Sequence, residues 1–351
     1  MDQIVDLYLS DQAVQTKWER LLLKLGLSNF SSREVNTIDH TLGIVDDEGQ
    51  LVGTGSVSGN VLKYIGVCNQ GATPGSRFNQ IVTALQQYQF NRKIFHNFVF
   101  TKTQYSISFQ HLGFTELAHT EQAAFLESGT PDVNDFLAAI PRIPNQSSKK
   151  VAAIVMNANP FTLGHRQLVQ LASQENDLVY VFVVATDASL FKTSERMQLV
   201  KKGTADLKNV LVVSGGDYLV SQATFPAYFL KTPDDLIKTQ TTIDARVFKN
   251  IIAPKLSINR RYLGTEPFSH TTNFYNKSLI NELSPQIKVK VVPRFSNNNQ
   301  VITATQVRRL IKVGDLEAIK LLVPATTMDF IKGNQKILQT RIQKGMNING
   351  N

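Results

Sequence analysis

A histidine stands directly after a short polar turn near the middle of the chain. The turn contains Asn157, Asn159 and Pro160 and runs into Thr162-Leu-Gly-His165. The next residues, 166–172, place apolar side chains at helical spacing. Because the first turn of a helix has free N–H groups and the positive end of the helix dipole, it attracts anions. With an imidazole beside it, this turn indicates phosphate chemistry, and we expect ATP to bind here.

Apolar runs and helical patterns alternate around this turn. Strands are predicted over 151–156, 178–184, 210–213, 261–264 and 287–292, and helices from Ser194, as N-cap, and over 303–313. This order predicts a parallel sheet that binds ligands at the carboxyl ends of its strands. Neither Gly-x-Gly-x-x-Gly nor Gly-x-x-x-x-Gly-Lys-Ser/Thr occurs in this half, which argues against a dinucleotide-dependent oxidoreductase and a P-loop NTPase.

Length and composition are those of a soluble enzyme. The 351 residues allow two or three domains, and 42% of them are hydrophobic. We expect no membrane span, because no run of eighteen apolar residues occurs, and the acidic start of the chain indicates no signal peptide. The single cysteine, Cys68, excludes an internal disulfide, so a reducing cytoplasm is the expected location.

The net charge of +9 is unevenly distributed. Residues 1–150 contain 12 Lys and Arg against 14 Asp and Glu, and the remainder contains 25 against 14. The basic half is the half with the predicted phosphate site, where positive potential would steer an anionic nucleotide or an acidic protein. A solvated basic surface with a basic tail is an equal alternative.

Residues 141–150 are rich in proline, serine and charge, as is typical of a linker. We therefore predict an N-terminal α+β domain over 1–140, this linker, a catalytic domain over 151–330 and a basic C-terminal helix or tail over 331–351.

The pattern before the linker predicts helices over 14–25, 78–90 and 106–112, strands over 62–68 and 97–101, and a hairpin of 41–45 with 51–57 that turns at Glu48-Gly49. This order of elements resembles the GNAT acyltransferase fold. In that family a glycine-rich turn before a helix binds the pyrophosphate of acyl-CoA, which implies Gln70 and Gly75 as candidates for a CoA-like group. Thr73 replaces the family's middle glycine and no general base can be named, so a docking or stabilising role stays open.

The segment Thr162-Leu-Gly-His165 is similar to the phosphate-binding signature of the HIGH-type nucleotidyltransferases, the superfamily of phosphopantetheine adenylyltransferase. A second segment, Ile302-Thr-Ala-Thr-Gln-Val-Arg-Arg309, resembles the one that opens a late helix there and holds the β- and γ-phosphates. The resemblance implies a Rossmann-like domain in which Thr303 and Arg308 contact the outer phosphates. A surface helix arginine is the alternative for Arg308.

Six longer runs carry a narrower resemblance: Ile154–His165, Asp187–Phe191, Gly203–Val210, Ala223–Leu230, Gly264–Phe268 and Leu322–Pro324. They resemble the citrate lyase ligases. The resemblance covers nearly the whole chain, since that family joins a GNAT-like domain to a nucleotidyltransferase domain. It implies a ligase that activates acetate with ATP to acetyl-adenylate and pyrophosphate. The acetyl group then passes to the thiol of a phosphoribosyl-dephospho-CoA group on the acyl-carrier subunit of citrate lyase.

The implied chemistry assigns roles to particular side chains. His165 would stabilise the α-phosphate, Thr162 would donate to a phosphate oxygen, and Lys192 would neutralise charge as pyrophosphate leaves. With Arg308 these are the predicted catalytic residues. The predicted nucleotide-binding residues are Asn157, Ala158, Asn159, Gly164, Arg196, Gly264, Glu266, Thr303 and Thr305. Because no carboxylate cluster indicates a metal site built by the protein, we expect Mg²⁺ to arrive with the nucleotide.

Several assignments stay open at this point. Glu195 and Arg196 could form a capping ion pair, residues 217–226 could shape the acetate or thiol pocket, and Arg294 and His270 are further candidates. The alternative function is an adenylyltransferase that makes a stable product such as dephospho-CoA or a pyridine dinucleotide. A nucleic-acid-binding module is disfavoured because no basic stripe interleaved with aromatic residues occurs.

Overall fold

The computed structural model describes residues 2–28, 30, 32–185, 189–219, 228, 232–265, 270–297 and 300–349. They form two compact units. The first unit consists of residues 2–136 together with Tyr228 and residues 232–243, and the second unit consists of the other described residues.

The first 140 residues form an α+β arrangement. Their elements are β1 (Gln3–Asp6), α1 (Gln12–Lys24), α2 (Ser32–Val35), β2 (His40–Val45), β3 (Leu51–Ser58), β4 (Val61–Val67), α3 (Ser76–Asn91), β5 (His96–Thr101), α4 (Ser106–Gln110), β6 (Thr115–His119), β7 (Ala124–Gly129) and α5 (Val133–Ala138). The seven strands form one sheet in the order β1-β2-β3-β4-β5-β7-β6. The predicted β2–β3 hairpin is confirmed, and Gly49 in its turn has the positive φ of 73° that favours glycine.

Strands β4 and β5 are the parallel pair of this sheet. They pair only through Val61 with Phe98 and Leu62 with Val99, so the remainder of each strand separates from the other. Helices α1 and α3 both pack against β3, and each contributes to its own apolar cluster. Trp18 and Leu22 of α1 are fully buried in one cluster, and Ile81 and Leu85 of α3 in the other.

The second half of the chain alternates strands and helices. Its elements are β8 (Val151–Met156), α6 (Leu163–Glu175), β9 (Leu178–Val183), α7 (Thr193–Gly203), β10 (Val210–Ser214), α8 (Pro233–Val247), α9 (Ala253–Lys255), β11 (Arg260–Gly264), α10 (His270–Leu283), β12 (Lys288–Val292), β13 (Ser296–Asn297), β14 (Gln300–Val301), α11 (Ala304–Val313), α12 (Leu316–Lys320) and α13 (Ala325–Gln343). A π-helical turn, Phe248–Ile252, follows α8.

Five parallel strands form the sheet of the second unit, in the order β10-β9-β8-β11-β12. β8 and β9 are apolar along their whole length because a central parallel strand is covered on both faces. The strand order reverses at β8. There β8 pairs with β11 only through Ala152 and Ala153, which leaves their carboxyl ends unpaired to each other. Such a switch point is where open parallel sheets bind ligands.

The sequence predicted a linker before this unit and a helix or tail after it. Residues 141–150 have the composition of a linker, yet they pack within the second unit. The buried Gln146 donates to Leu256 O at 2.6 Å and accepts from Ile143 N at 3.0 Å, and Tyr180 Oη donates to Pro141 O at 2.6 Å. At the other end, the predicted C-terminal helix belongs to α13, which buries Ile331 and Leu338.

The predicted N-cap of α7 was wrong. The helix begins at Thr193 with Lys192 as N-cap, two residues before Ser194. Glu195 explains the earlier start, because its carboxylate accepts the Lys192 N–H at 2.8 Å and satisfies a free donor of the first turn. In the part of the chain that the structure describes, no helix is long and apolar enough to traverse a lipid bilayer.

Candidate active site

The predicted phosphate turn joins β8 to α6 at the carboxyl edge of the parallel sheet. Thr162 is the N-cap of α6 and His165 lies in its first turn. The imidazole Nδ1 accepts the Thr162 backbone N–H at 3.1 Å and lies 2.9 Å from the Thr162 hydroxyl, while the His165 N–H donates back to that hydroxyl at 3.4 Å. Thr162 and His165 therefore hold each other, and the ring orientation is set by the helix cap.

This geometry determines which ring nitrogen of His165 carries the proton. Burial lowers the pKa of His165 to about 4, and the nearby positive charge of Arg294 acts in the same direction. The ring is therefore neutral at physiological pH. Because Nδ1 accepts a backbone N–H, the single proton resides on Nε2. His165 thus presents an N–H donor to its surroundings.

The depressed pKa of His165 predicts a pH-dependent stability. The unfolded chain takes up a proton near pH 6.5, whereas the folded ring resists protonation until about pH 4. The stability that the neutral His165 contributes is fully present above pH 6.5 and is lost as the pH falls toward 4. We expect the free energy of unfolding of the native chain to fall about 1–2 kcal/mol more between pH 7 and pH 5 than that of His165→Gln. Urea unfolding followed by circular dichroism measures this, and equal losses in the two proteins would contradict it.

The second predicted segment begins a helix beside the first. Thr303 is the N-cap of α11 and accepts the Gln306 N–H at 3.1 Å. A Cβ built on Gly164 would lie 3.8 Å from Ile302 O, so the N-terminus of α11 lies next to that of α6. The Leu163 N–H donates to Leu322 O at 2.9 Å, which ties α6 to the loop after α12. Two helix N-termini therefore converge at one place.

Arg308 links the two segments directly. Its side chain is 0% exposed, and its guanidinium donates to Asn159 O at 2.6 Å, Ile348 O at 3.0 Å and Thr305 Oγ1 at 3.0 Å. Burial lowers the pKa of Arg308 to about 10, so it is charged at neutral pH. The guanidinium thus holds the Asn159 carbonyl of the turn and also bonds Thr305 on its own helix, α11.

Arg196 holds the first part of the same turn. It is fully buried and donates to Asn157 O at 2.9 Å, Asn157 Oδ1 at 2.8 Å and Val184 O at 2.7 Å. Asn159 accepts the Phe191 N–H at 3.1 Å through its side chain. Between them, Ala158 has a positive φ of 51°. These bonds connect the ends of β8 and β9, and they give the turn a defined backbone course.

Lys192 lies at the start of α7 and is exposed. The neighbouring Glu195 forms a bidentate ion pair with Arg341 of α13, with N–O distances of 2.7 and 2.8 Å. In the structure Glu195 pairs with Arg341, whereas the sequence suggested an ion pair with Arg196. Asp187, Ala188 and residues 220–226 lie outside the described residues.

Residues at the carboxyl ends of β11 and β12 lie at the same edge of the parallel sheet. Gly264 ends β11 and its carbonyl accepts from Asn276 Nδ2 at 3.1 Å. Arg294 follows β12; its backbone N–H donates to Thr265 Oγ1 at 3.1 Å and its Nε donates to Thr265 O at 2.8 Å. Burial lowers the pKa of Arg294, and its charge reaches His165. Glu266 and the side chain of His270 lie outside the description.

Several sequence-predicted residues therefore share this edge in the second unit. The shared group comprises Asn157, Ala158, Asn159, Thr162, Gly164, His165, Arg196, Thr303, Thr305 and Arg308. Arg294 was only a further candidate from the sequence, yet its charge is the one that acts on His165. The sequence did contain a signal for this role, because Arg294 is a cation placed directly after the last predicted strand, 287–292.

The first unit contains a separate cavity of about 450 Å³ where β4 and β5 separate. Gly75 lines it as the N-cap of α3, with a positive φ of 81°. Gln70 is exposed, and its carbonyl accepts from Arg77 Nη1 at 2.9 Å. The two residues predicted for a CoA-like group thus lie on the turn between β4 and α3.

Comparison with known proteins agrees with the sequence resemblance. Residues 151–331 match the family model of the citrate lyase ligase C-terminal domain. The chain is 33% identical to the citrate (pro-3S)-lyase ligase of Escherichia coli (strain K12) over 303 residues, 84% of this chain and 85% of the relative. It is 34% identical to that of Klebsiella pneumoniae over 295 residues, 82% and 85% of the two chains.

Two solved structures are similar to parts of the chain. An N-acetyltransferase from Staphylococcus aureus Mu50 has a TM-score of 0.31 at 13% identity and covers 37% of this chain and 97% of its own. Pantoate-beta-alanine ligase from Francisella tularensis has a TM-score of 0.34 at 14% identity and covers 54% of this chain and 77% of its own.

The predicted class of enzyme, a ligase, is confirmed by the curated relatives, and the alternative adenylyltransferase is not favoured. With a family model that matches residues 151–331 and relatives aligned over more than four fifths of its length, the chain belongs to the citrate lyase ligase family.

Proposed function

We propose that the second unit activates acetate with ATP and that the chain then acetylates citrate lyase. An acetate oxygen attacks the α-phosphorus, the bond from that phosphorus to the bridging oxygen breaks, and pyrophosphate leaves with Mg²⁺. The thiolate of the CoA-like group on the acyl-carrier subunit next attacks the acyl carbon of acetyl-adenylate. A thioester forms and AMP leaves.

The observation that carries this proposal is the convergence of two helix N-termini where β8 and β11 part. Positioning and charge stabilisation dominate phosphoryl-transfer reactions. An edge built from the first turns of α6 and α11, with Arg196, Arg294 and Arg308 around it, supplies both N–H donors and positive charge. The names of the curated relatives support citrate lyase as the partner.

His165 would act as a neutral donor. Its Nε2–H would bond an α-phosphate oxygen and strengthen that bond as negative charge accumulates in the transition state. Thr162 would keep the ring in this tautomer and could shift its hydroxyl toward a phosphate oxygen. The exposed Lys192 would neutralise the departing pyrophosphate.

The remaining residues would shape the nucleotide site. Thr303, Thr305 and the N-terminus of α11 would hold the outer phosphates, while Gly264, at the end of β11, would border the nucleotide. Glu266, which lies outside the described residues, is also proposed as a nucleotide-binding residue. Because the Arg308 side chain is 0% exposed, Arg308 would act first by holding the Asn159 carbonyl. Asn157, Ala158 and Asn159 would present the turn backbone that Arg196 holds.

A labelling experiment tests the function. The chain is incubated with ATP, Mg²⁺, labelled acetate and deacetylated citrate lyase, and the products are separated by mass spectrometry. We expect label on the prosthetic group of the acyl-carrier subunit together with AMP and pyrophosphate. An adenylylated small molecule as the final product, with unlabelled lyase, would refute the proposal.

Gly164→Ala separates a binding role of this turn from a structural one. The added methyl group would lie 3.7 Å from Thr162 Oγ1 and 3.8 Å from Ile302 O, which is ordinary contact, so the fold tolerates it. The variant gains up to about 1 kcal/mol of stability because alanine favours helix. We expect the KM for ATP in acetate-dependent pyrophosphate exchange to rise about tenfold, since the methyl group occupies the phosphate approach.

Gly333→Ala on α13 is the matched control for this variant. A Cβ there meets nothing within 4 Å, so it should gain comparable stability with an unchanged KM. An unchanged KM in Gly164→Ala as well would remove Gly164 from the nucleotide site.

For the first unit we propose binding of the CoA-like group itself. The cavity between β4 and β5 combines the N-terminus of α3, which has no side-chain cap, with an apolar interior. Phosphate groups would bond the free N–H groups of α3 near Gly75, and the pantetheine arm would enter the interior.

A further inference from the structure

Lys192 follows a short buried loop whose backbone is held by side chains from two other places. Leu190 and Phe191, the two residues before it, are 0% exposed. The Phe191 N–H donates to the Asn159 side chain of the phosphate turn at 3.1 Å, and the Lys192 N–H donates to Glu195 Oε2 at 2.8 Å. The backbone that carries Lys192 is therefore fixed, whereas its side chain is exposed.

One guanidinium of the C-terminal helix completes this arrangement. Arg341 of α13 donates to Leu190 O at 3.0 Å and forms the bidentate ion pair with Glu195. The oxygen that accepts the Lys192 N–H, Glu195 Oε2, also accepts from Arg341 Nη1 at 2.7 Å. Arg341 thus orients the carboxylate that caps the start of α7, and it anchors the carbonyl two residues before Lys192.

Both members of this ion pair are charged and largely shielded from water. Each side chain is 19% exposed. Partial burial acts to raise the pKa of Glu195, but the bonds from Arg341 and from the Lys192 N–H outweigh it and lower that pKa below its ordinary value. Because a single ion pair near the surface adds little to stability, the main consequence of this pair is a fixed course for the loop.

Apolar contacts join the same helix to the loop. The ring centroid of Phe330 on α13 lies 5.9 Å from that of Phe191, and Leu338 belongs to the same buried cluster as Leu190. The match to the family model ends within α13, before Arg341. A helix that the match covers only in part therefore holds a loop at the carboxyl edge of the sheet.

We propose that Arg341 is a positioning residue for Lys192 and, through Glu195, directs its ammonium group toward the departing pyrophosphate. The proposal rests on the proposed adenylation of acetate. Because a lysine side chain is a flexible stem that ends in a point charge, any displacement of its backbone also displaces that charge. Charge stabilisation requires a preorganised donor. Helix α13 is thus part of the adenylation site.

Acetate-dependent ATP–pyrophosphate exchange tests this role. We expect Arg341→Gln to raise the KM for pyrophosphate about tenfold and to leave the KM for acetate unchanged, since a displaced Lys192 weakens the pyrophosphate site alone. Arg341→Lys keeps the charge but cannot bond Glu195 and Leu190 O together, so its KM for pyrophosphate should lie between the other two values. Urea unfolding shows that each variant is folded under the assay conditions.

Arg246→Gln is the matched control. Arg246 of α8 forms an ion pair with Glu282 of α10, with N–O distances of 2.9 and 3.5 Å, and both side chains are partly buried. The variant therefore loses a comparable ion pair in the same unit. It should keep the native KM for pyrophosphate.

A double variant separates positioning from a general loosening of the fold. Lys192→Ala removes the ammonium group that Arg341 is proposed to direct. Adding Arg341→Gln to Lys192→Ala should therefore change the KM for pyrophosphate by less than about twofold. A purely structural role of Arg341 would give effects that multiply.

The possible results separate two failures. A native KM for pyrophosphate in a folded Arg341→Gln, multiplied effects in the double variant, or an equal rise in Arg246→Gln would each overturn the positioning role while the adenylation proposal stands. A native chain without acetate-dependent exchange would refute the adenylation itself, and the role of Lys192 would fall with it.

Discussion

His165→Asn should lower the rate of acetate-dependent ATP–pyrophosphate exchange by about 10²–10³-fold, the usual effect of removing one preorganised donor. The amide oxygen of asparagine can take the place of Nδ1 and accept the Thr162 N–H, which the imidazole now accepts at 3.1 Å. The cap of α6 is therefore kept. What the variant lacks is the Nε2–H, so the loss should appear in kcat with little change in thermal stability.

His165→Gln is the matched control for that prediction. Its longer side chain places an amide N–H nearer the position of Nε2, so it should retain more exchange activity than His165→Asn, at the expense of the cap. Native exchange rates in a folded His165→Asn would remove His165 from the chemistry.

The second large effect is expected from Arg308→Lys. The guanidinium bonds two backbone carbonyls and one hydroxyl at 0% exposure, and a lysine ammonium can satisfy only part of this set. Unsatisfied buried acceptors cost about 1–3 kcal/mol each, so we expect the free energy of unfolding to fall by about 3 kcal/mol. Urea unfolding measures the loss. Exchange activity should fall with it, because the Asn159 carbonyl loses its anchor.

The neighbouring Arg309→Lys controls for the change of side chain. Arg309 is exposed and donates to the Asn349 side chain at 3.1 and 3.2 Å, so its replacement should alter stability by about 0.5 kcal/mol or less. If Arg308→Lys were equally mild, the buried guanidinium would not be what joins the two segments.

Local patterns were sufficient for much of the site. The strand over 151–156 and the helix over 303–313 are confirmed as β8 and α11, which begins at Ala304 with Thr303 as its N-cap. Both depend on neighbours in sequence: an apolar run for a central strand, and apolar side chains at helical spacing for a helix. The error at Ser194 has the same physical basis, because several side chains near a helix start compete for its free donors and Glu195 prevailed.

The same local patterns did not predict which polar side chains are buried. Arginine is usually a surface residue, yet Arg196 and Arg308 are fully buried and donate to backbone carbonyls. The influence of Arg294 on His165 and the bond from Tyr64 to Tyr228 likewise join residues more than 100 positions apart. Such contacts depend on how the elements pack, and periodicity carries no information about packing partners.

From its residues alone, then, this chain predicts many of its strands and helices and two segments, one with His165 and one with Arg308, that are expected to meet phosphate. The order and divergence of β8 and β11, the neutral tautomer of His165 and the protein contacts of Arg308 arise only when the sheet assembles. The reason is physical: helix caps and apolar periods act between neighbours in the chain, whereas desolvation and charge proximity act between neighbours in space.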